Sequence, residues 1–146
     1  DQSPSVSPEV AFFRIPNNSI NLVWPELVYH VELAVEVSNG RTTSQGVYNR
    51  AISGEDQIWV LSTPDKVLAT VVTSISDYET KRLLHISWAG GTNVIDHVDI
   101  IGKHLFDFAL TNYCDGIESP GRKGWEKVFK RFNAKLAYQV YELMFD

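Results

Sequence analysis

The chain has a single cysteine, Cys114, among its 146 residues. One cysteine excludes an internal disulfide and is compatible with a reducing compartment. The longest apolar stretches, residues 22–37 and 67–75, are interrupted by Thr, Ser, Glu or His. Neither offers the roughly 20 apolar residues that a membrane-spanning helix requires. The sequence therefore predicts a chain without an internal disulfide and without a membrane segment.

Motifs of several common enzyme classes are also missing. The sequence has no Gly-x-Ser-x-Gly elbow, no P-loop and no dinucleotide-binding fingerprint. The histidines and Cys114 include no close pair at metal-ligand spacing. His97 and His104 lie two helical turns apart, too far to bind one ion without ligands from other elements. We therefore expect no metal site.

The composition does provide enough apolar material for one core. Hydrophobic residues make up 44% of the chain and aromatic residues 12%, with a formal net charge of −5. A chain of this length has room for one sizeable core and not for two. Residues 1–9 are rich in Ser and Pro and predict a flexible tail, and residues 10–146 predict a single domain.

Hydrophobic spacing predicts an alternation of helices and strands. Residues 10–15 form a first strand, and a helix opens at Trp24-Pro25 and ends near Asn39-Gly40. A second helix starts after Thr43 or Ser44 and stops at Gly54. Three β-type runs follow, joined by short turns, which predicts an antiparallel meander. The runs are residues 57–62, 67–76 and 82–88.

The second half of the chain predicts a long helix and then a strand, a helix and a strand. The long helix is capped by Asn93 and ends near Tyr113, and a strand begins at Asp115. An amphipathic helix follows Pro120-Gly121, and a last strand spans residues 135–145. The predicted fold class is therefore α/β (α+β), with a mixed sheet.

The helix after Pro120-Gly121 is strongly basic. Against the single acid Glu126 it carries Arg122, Lys123, Lys127, Lys130, Arg131 and Lys135. A solvated helix face is the commoner explanation for such a run. The local imbalance of charge also favours a binding surface, with an acidic partner, a nucleic-acid backbone or the phosphates of a nucleotide cofactor as alternative ligands. Its residues are Arg122, Lys123, Lys127, Lys130 and Arg131.

This order of elements resembles the GNAT (N-acetyltransferase) superfamily over residues 10–145. The sequence is most similar to small GNAT-like proteins encoded by bacteriophages, and two short sequence motifs carry this similarity. The first is Gly40-Arg-Thr-Thr43 followed by Gly54-Glu-Asp-Gln-Ile-Trp-Val60, and the second is Gly121-Arg-Lys-Gly-Trp125. The resemblance implies a GNAT-like sheet whose strands part to admit acetyl-CoA.

The resemblance also implies a site for the pyrophosphate of acetyl-CoA, at the start of the long helix. The residues concerned are Ala89, Gly90, Gly91, Thr92 and Asn93. This stretch departs from the phosphate-binding motif that is usual in the family. In addition, the carboxylates of Asp96 and Asp99 lie in the first turns of the helix, where they would repel a pyrophosphate. The two glycines are equally explained by a tight connection between strand and helix.

Acyl transfer to an amine also requires a base and an acid. His85 is the best candidate for the base, because its ordinary pKa near 6.5 suits a proton from an amine, although a half-buried strand histidine is the commoner role. Many GNAT enzymes have a tyrosine as general acid on the last helix. The matching position here is Phe129, which has no proton to give, so Tyr138 and Tyr141 are the candidates instead.

Two functions follow as expectations. One is a phage-encoded GNAT-fold protein with a degenerate acetyl-CoA site that requires no cofactor. It acts through protein interaction as a virion-associated or assembly component, located in the host cytoplasm or the virion. Its partners are other phage structural proteins, and nucleic acid is not expected. The alternative is an active acetyl-CoA-dependent N-acyltransferase. The first function is slightly favoured, because Phe129 has no proton to give and Asp96 repels a pyrophosphate.

Overall fold

The computed structural model describes residues 9–121 and 125–145. This part of the chain contains both strands and helices, in agreement with the α/β (α+β) class that the sequence predicts. The strands are β1 (Ala11–Arg14), β2 (Asp56–Ser62), β3 (Val67–Asp77), β4 (Arg82–Gly91) and β5 (Gly116–Glu118). The helices are α1 (Ile20–Glu36), α2 (Ser44–Ser53), α3 (Val98–Thr111) and α4 (Glu126–Arg131), with short 3-10 turns at Asn17–Ser19 and Ile95–His97.

The five strands form one mixed sheet in the order β1-β2-β3-β4-β5. Neighbours from β1 to β4 are antiparallel, which confirms the predicted meander, and β5 runs parallel to β4. Because alternate side chains of a strand point to opposite faces, the sheet separates two apolar clusters. Leu84, Ile101 and Leu105 pack together on the α3 face, while Val31, Ile58 and Val72 pack on the α1 and α2 face.

Helix α2 has the ends that the sequence predicts. The Thr43 side chain accepts a hydrogen bond from the Gly46 N–H at 3.0 Å, and Gly54 closes the helix in the left-handed conformation. Helix α1 differs from the prediction, since it begins at Ile20 and contains Pro25 internally. The 3-10 turn at Asn17–Ser19 leads directly into α1, so the helical path starts before Pro25. Pro25 is the sixth residue of α1 and has no N–H to donate to the carbonyl oxygen of Asn21.

The connection from β4 to α3 also differs from the prediction. Strand β4 continues to Gly91 because residues 89–91 pair with residues 69–71 of β3. Asn93 is not the helix cap: it has a positive φ of 63°, and a 3-10 turn separates it from the first residue of α3. The chain therefore turns sharply at Asn93, a residue type that tolerates this conformation.

The predicted last strand, residues 135–145, is wrong. Residues 134–145 carry no strand or helix, and within the described residues the basic helix is α4, Glu126–Arg131. The sequence has strand-like alternation here, but alternation alone provides no pairing partner. The predicted tail lies mostly outside the described residues, and the extent of the single domain stays a prediction. No helix within residues 9–121 and 125–145 combines the length and apolarity needed to span a bilayer.

Candidate active site

A row of polar side chains crosses four adjacent strands on the α1 and α2 face. Asp56 of β2 is paired with Ser74 of β3, Ser74 with His85 of β4, and His85 with Glu118 of β5. Residues directly opposite each other in neighbouring strands point to the same face of the sheet. The sheet therefore gathers two carboxylates, a hydroxyl and an imidazole from residues up to 62 positions apart in the sequence.

His85, Glu118 and Tyr78 form a hydrogen-bonded trio at one end of this row. The Nδ1 atom of His85 lies 2.8 Å from Oε2 of Glu118, and the Tyr78 hydroxyl donates to the same oxygen at 2.5 Å. The His85 and Glu118 side chains are 30% and 20% exposed. They are thus partly shielded from water, which strengthens their electrostatic interaction.

The carboxylate fixes the protonation pattern of the trio. Since ionised Glu118 can only accept hydrogen bonds, His85 donates from Nδ1 and keeps the lone pair of Nε2 for an incoming proton. Burial acts to raise the pKa of Glu118, but hydrogen bonds from Tyr78 and His85 outweigh it and lower the pKa. The hydrogen bond to Glu118 in turn raises the pKa of Tyr78. Tyr78 therefore keeps its proton and holds the carboxylate in place.

The pair of His85 and Glu118 stands where β4 and β5 part. It is the last pair of a parallel ladder of three, after which β4 continues to Gly91 and β5 ends. One step further along β4, a bulge opposite Val72 and Thr73 leaves Ser87 without a pairing partner in the ladder. A bulge re-aims backbone groups locally and is common beside active sites.

The other end of the row forms the floor of an open cleft of about 490 Å³. Arg50 donates through Nε to Asp56 at 2.9 Å and through a terminal nitrogen to Thr42 at 2.8 Å. Burial raises the pKa of Asp56, and the hydrogen bond and charge of Arg50 oppose that rise. The cleft is lined by Arg41, Thr42, Arg50, Glu55, Asp56, Ser74, Ile75, Ser87 and Trp88. It is a polar, mixed-charge recess suited to a small polar molecule.

The glycines of the predicted cofactor site are needed for packing. A Cβ atom on Gly90 would lie 2.3 Å from the backbone nitrogen of Ala34 in α1. One on Gly91, whose φ is +127°, would lie 2.3 Å from the carbonyl oxygen of Leu68. Both glycines lie inside β4 and permit a close approach of backbones, rather than the tight connection between strand and helix that the sequence offered as an alternative.

In the rest of the predicted phosphate-binding stretch, some backbone groups already make hydrogen bonds within the chain. The Thr92 N–H donates to the Leu68 carbonyl oxygen at 2.9 Å, and the Asn93 carbonyl oxygen is 2.8 Å from Nδ1 of His97. Asp99 is paired with Arg131 of α4. This ion pair offsets one of the two carboxylates expected to repel a pyrophosphate, and Asp96 remains exposed. The assignment of Ala89, Gly90, Gly91, Thr92 and Asn93 to cofactor binding stays a prediction.

The tyrosines proposed as acids lie in the segment after α4. Tyr138 is 69% exposed and close enough to Tyr78 to contribute slightly to the rise of its pKa, after the larger effect of Glu118. Tyr141 is 85% exposed, and its hydroxyl donates to the Gln139 side chain. Phe129 packs its ring on Gly121, where an added Cβ would lie 2.3 Å from it. Tyr138 therefore acts electrostatically on the trio through Tyr78.

Three of the five residues of the predicted interaction surface lie within the described residues. Lys127, Lys130 and Arg131 are exposed on α4, whereas Arg122 and Lys123 lie outside the described residues. Within residues 9–121 and 125–145, no group of three or more His, Cys, Asp or Glu side chains is arranged to bind a metal ion. His97 and His104 each place Nδ1 near the backbone carbonyl oxygen four residues earlier.

Sequence reasoning missed Glu118, Tyr78 and Asp56. The alternation Gly116-Ile117-Glu118 marks a short strand, but nothing in it reveals which strand is its neighbour. Tyr78 lies in a polar connection between two predicted strands, where the sequence does not indicate a contact with the later strand. The available signal was the long helix between the two strands, since a crossover helix joins parallel neighbours.

No protein-family model and no curated protein matches the sequence. Solved structures do match. A probable acetyltransferase is 14% identical, with 93% of this chain and 99% of that one aligned at a TM-score of 0.63. A predicted acetyltransferase with acetyl-CoA from Clostridium acetobutylicum is 14% identical, with 93% and 96% aligned at 0.63. Glucosamine-6-phosphate N-acetyltransferase from Arabidopsis thaliana is 12% identical, with 94% and 99% aligned at 0.62.

At these identities the likeness shows the fold. The antiparallel meander, the parallel β5 joined through α3 and the parting beside His85 agree with it. The chain therefore has the GNAT fold.

Proposed function

We propose that this protein is an acyl-CoA-dependent N-acyltransferase, with His85 as the base that accepts the proton of the acceptor amine. The observation that carries the proposal is the hydrogen bond between His85 and Glu118 at the point where β4 and β5 part. A histidine without a partner was more easily explained as a structural residue. A histidine oriented by a partly buried carboxylate has the arrangement of a general base.

Acyl-CoA supplies an activated acyl group as a thioester. The amine nitrogen bonds to the acyl carbon, the bond from carbon to sulfur breaks, and the leaving thiolate takes up a proton. His85 removes the amine proton through Nε2, and Glu118 stabilises the resulting imidazolium charge. Tyr138, beside Tyr78, is the proposed proton donor to the thiolate, because Phe129 has no proton to give.

The residues fit acyl-CoA better near the thioester than near the pyrophosphate. At the thioester end, the parted strands and the bulge at Ser87 leave backbone groups free of the ladder. At the pyrophosphate end, the N–H of Thr92 is engaged and Asp96 adds negative charge. Arg131 brings a positive charge towards this end, through its contact with Asp99. Modest affinity for the cofactor is therefore expected.

Thermal unfolding with and without acetyl-CoA tests the proposal. A ligand that binds only the folded state stabilises it by about 2.7 kcal/mol at a hundredfold excess over its dissociation constant. For a chain of this size, that corresponds to a rise in melting temperature of very roughly 6 to 12 °C. Coenzyme A without the acyl group serves as a comparison, and a panel of primary amines with a thiol reagent then tests turnover. No shift at millimolar acetyl-CoA would contradict the proposal.

We propose protein interaction as a second candidate, in which the acetyl-CoA site is degenerate. Phe129 in the position of the usual acid and Asp96 beside the phosphate end favour it. The exposed cations Lys127, Lys130 and Arg131 provide a surface for acidic subunits, as in a virion-associated or assembly component of a phage. Location in the host cytoplasm or the virion belongs to this proposal.

The two candidates predict different results. The interaction candidate predicts no thermal shift with acetyl-CoA, and loss of a partner complex when Lys127 and Lys130 are both changed to Glu. The enzyme candidate predicts a thermal shift and turnover that the same double change leaves intact, since neither lysine touches the trio of His85, Glu118 and Tyr78.

A further inference from the structure

The cleft at the Asp56 end of the polar row holds more negative charge than its own cations neutralise. Glu55 and Asp56 are adjacent carboxylates in its lining, and Asp56 is paired with Arg50. The other lining cation, Arg41, is paired with Glu142 at 2.7 Å. In the part of the chain that the structure describes, Glu55 has no ion pair. Two guanidinium groups thus face three carboxylates, which favours a positively charged ligand group.

Asp56 keeps one carboxylate oxygen for a ligand. Its side chain is 8% exposed, and Oδ2 accepts the hydrogen bond from Arg50 at 2.9 Å. The other oxygen, Oδ1, has no hydrogen-bond partner among the described residues, yet it is not one of their fully buried unpaired atoms. It therefore opens onto the cleft that Asp56 lines. A carboxylate so shielded binds an ammonium group more strongly than an exposed one, because less water screens the interaction.

The cleft and the proposed base lie on the same face of the sheet, two strands apart. Asp56 is paired with Ser74, and Ser74 with His85, so the three side chains point the same way. Adjacent strands are about 4.8 Å apart, which separates the Cα atoms of Asp56 and His85 by about 10 Å. Burial raises the pKa of Asp56, whereas charge on His85 slightly lowers it, so the two groups are within electrostatic range.

We propose that the acyl acceptor is a short diamine, which places its reacting amine at Nε2 of His85 and its second ammonium group between Asp56 and Glu55. This inference rests on the proposed acyl transfer and adds the class of the acceptor. An extended chain of about four to six carbons holds two nitrogens about 6 to 9 Å apart, which matches the distance between the two side chains.

The second charge of the acceptor takes no part in the chemistry. The reacting amine enters neutral, its nitrogen bonds to the acyl carbon as His85 takes the proton, and the bond from carbon to sulfur breaks. The products are free coenzyme A and a monoamide that keeps one ammonium group. That group holds the acceptor in register with the base before and after transfer.

The same charges disfavour two other classes of amine. A monoamine of equal length leaves Oδ1 of Asp56 and the carboxylate of Glu55 without a partner. An amino acid would bring its own carboxylate against these two, while Arg41 and Arg50 are already paired. The cleft therefore distinguishes the second functional group of the acceptor by its charge.

Turnover with three amines of equal length tests the class. The amines are 1,5-diaminopentane, pentylamine and 5-aminopentanoate, each at saturating acetyl-CoA. We expect kcat/KM for the diamine to exceed that for pentylamine by about tenfold or more, beyond the factor of two that its two equivalent nitrogens supply. The amino acid should be the poorest of the three. The advantage of the diamine should shrink as salt screens the exposed Glu55.

Charge-removing variants locate the ammonium site. Glu55→Gln should lower the ratio of diamine to pentylamine kcat/KM by about two- to fivefold, as expected for an exposed ion pair. Asp56→Asn keeps an oxygen for Arg50 and should lower the ratio further, with circular dichroism as the check on folding. Glu26→Gln is the matched control, because Glu26 is an exposed carboxylate of α1 outside the cleft lining. It should leave the ratio unchanged.

Calorimetric titration without acetyl-CoA separates this inference from the acyl transfer on which it rests. The parent chain should bind 1,5-diaminopentane at least about fivefold more tightly than pentylamine, and Glu55→Gln should reduce that difference. Diamine-selective binding with no turnover of any amine would overturn the acyl transfer and keep the ammonium site. Turnover of all three amines with a diamine preference of no more than twofold, or a preference for the amino acid, would overturn the diamine and keep the acyl transfer. Equal binding of diamine and pentylamine with no turnover would overturn both.

Discussion

The Nδ1 atom of His85 and the Oε2 atom of Glu118 lie 2.8 Å apart on neighbouring parallel strands, 33 residues apart in the sequence. This contact orients the imidazole, commits Nδ1 to the carboxylate and leaves Nε2 for a proton from a substrate. The first prediction concerns this pair.

Removing the base should slow acyl transfer by about a hundredfold to ten-thousandfold in His85→Ala, because a positioned general base contributes that much. Glu118→Gln should lower the rate less, and should change how the rate depends on pH, because the amide cannot stabilise the imidazolium charge. The measurement is turnover against pH at saturating acetyl-CoA. Glu79→Gln, in the β3–β4 connection, is the control. Unchanged pH profiles in Glu118→Gln would contradict the role of Glu118.

The lowered pKa of Glu118 predicts how stability depends on pH. The folded pKa lies below the ordinary value of 4.5, so the folded state binds fewer protons than the unfolded state near that pH. The stabilising effect of Glu118 is thus fully present above pH 4.5 and is lost as the pH falls through the folded pKa. Urea unfolding should show the parent more stable than Glu118→Gln at neutral pH. The difference should shrink below pH 4.5, and a difference that stays constant there would contradict the prediction.

Asp96 should weaken the binding of acetyl-CoA without preventing it. An exposed charge near a helix N-terminus changes a binding free energy by about 0.3 to 1 kcal/mol, so Asp96→Asn should tighten binding by about two- to fivefold. Calorimetry at low and high salt measures this effect, which should diminish as salt screens it. Asp107→Asn, three turns further along α3, is the matched control. Equal effects of the two changes would contradict a phosphate site at the start of α3.

Gly90 should not tolerate even a methyl group. Its Cβ would lie 2.3 Å from one backbone atom of Ala34 and 2.6 Å from another, and backbone cannot move aside as a flexible side chain can. Gly90→Ala should cost about 3 kcal/mol or more of unfolding free energy, seen by urea unfolding without any ligand. Gly102→Ala on α3 is the comparison. Its Cβ meets only the Phe132 ring at 3.3 Å, so we expect a change within about 1 kcal/mol.

Two buried threonines on β3 should respond in opposite ways to the same substitution. Thr73 accepts from Trp59 Nε1 at 2.9 Å and donates to Gln57 at 2.8 Å, so Thr73→Val leaves two buried groups unpaired and should cost about 2 to 4 kcal/mol. The Thr70 hydroxyl is buried with no hydrogen-bond partner among the described residues. Thr70→Val should therefore be neutral or stabilise by about 1 kcal/mol. Thermal unfolding of both variants measures this, and a similar loss in both would contradict the assignment.

Much of the local structure could be read from the sequence. The cap at Thr43 or Ser44, the Gly54 stop and the three-stranded meander depend on residues within a few positions of one another, and the sequence predicts each of them. The segment of residues 135–145 shows the limit of such reading. Its alternation is typical of a strand, but a strand exists only where a neighbouring strand accepts its hydrogen bonds.

The sequence by itself determined most of the helical and extended segments, with residues 135–145 as the exception, and that one histidine lies on the fourth strand. Only the tertiary structure decided that His85 meets Glu118 and that Gly90 lies against α1. The physical reason is that hydrophobic periodicity is set by neighbours along the chain, whereas strand order and register depend on how α3 packs across the sheet and returns the chain beside β4.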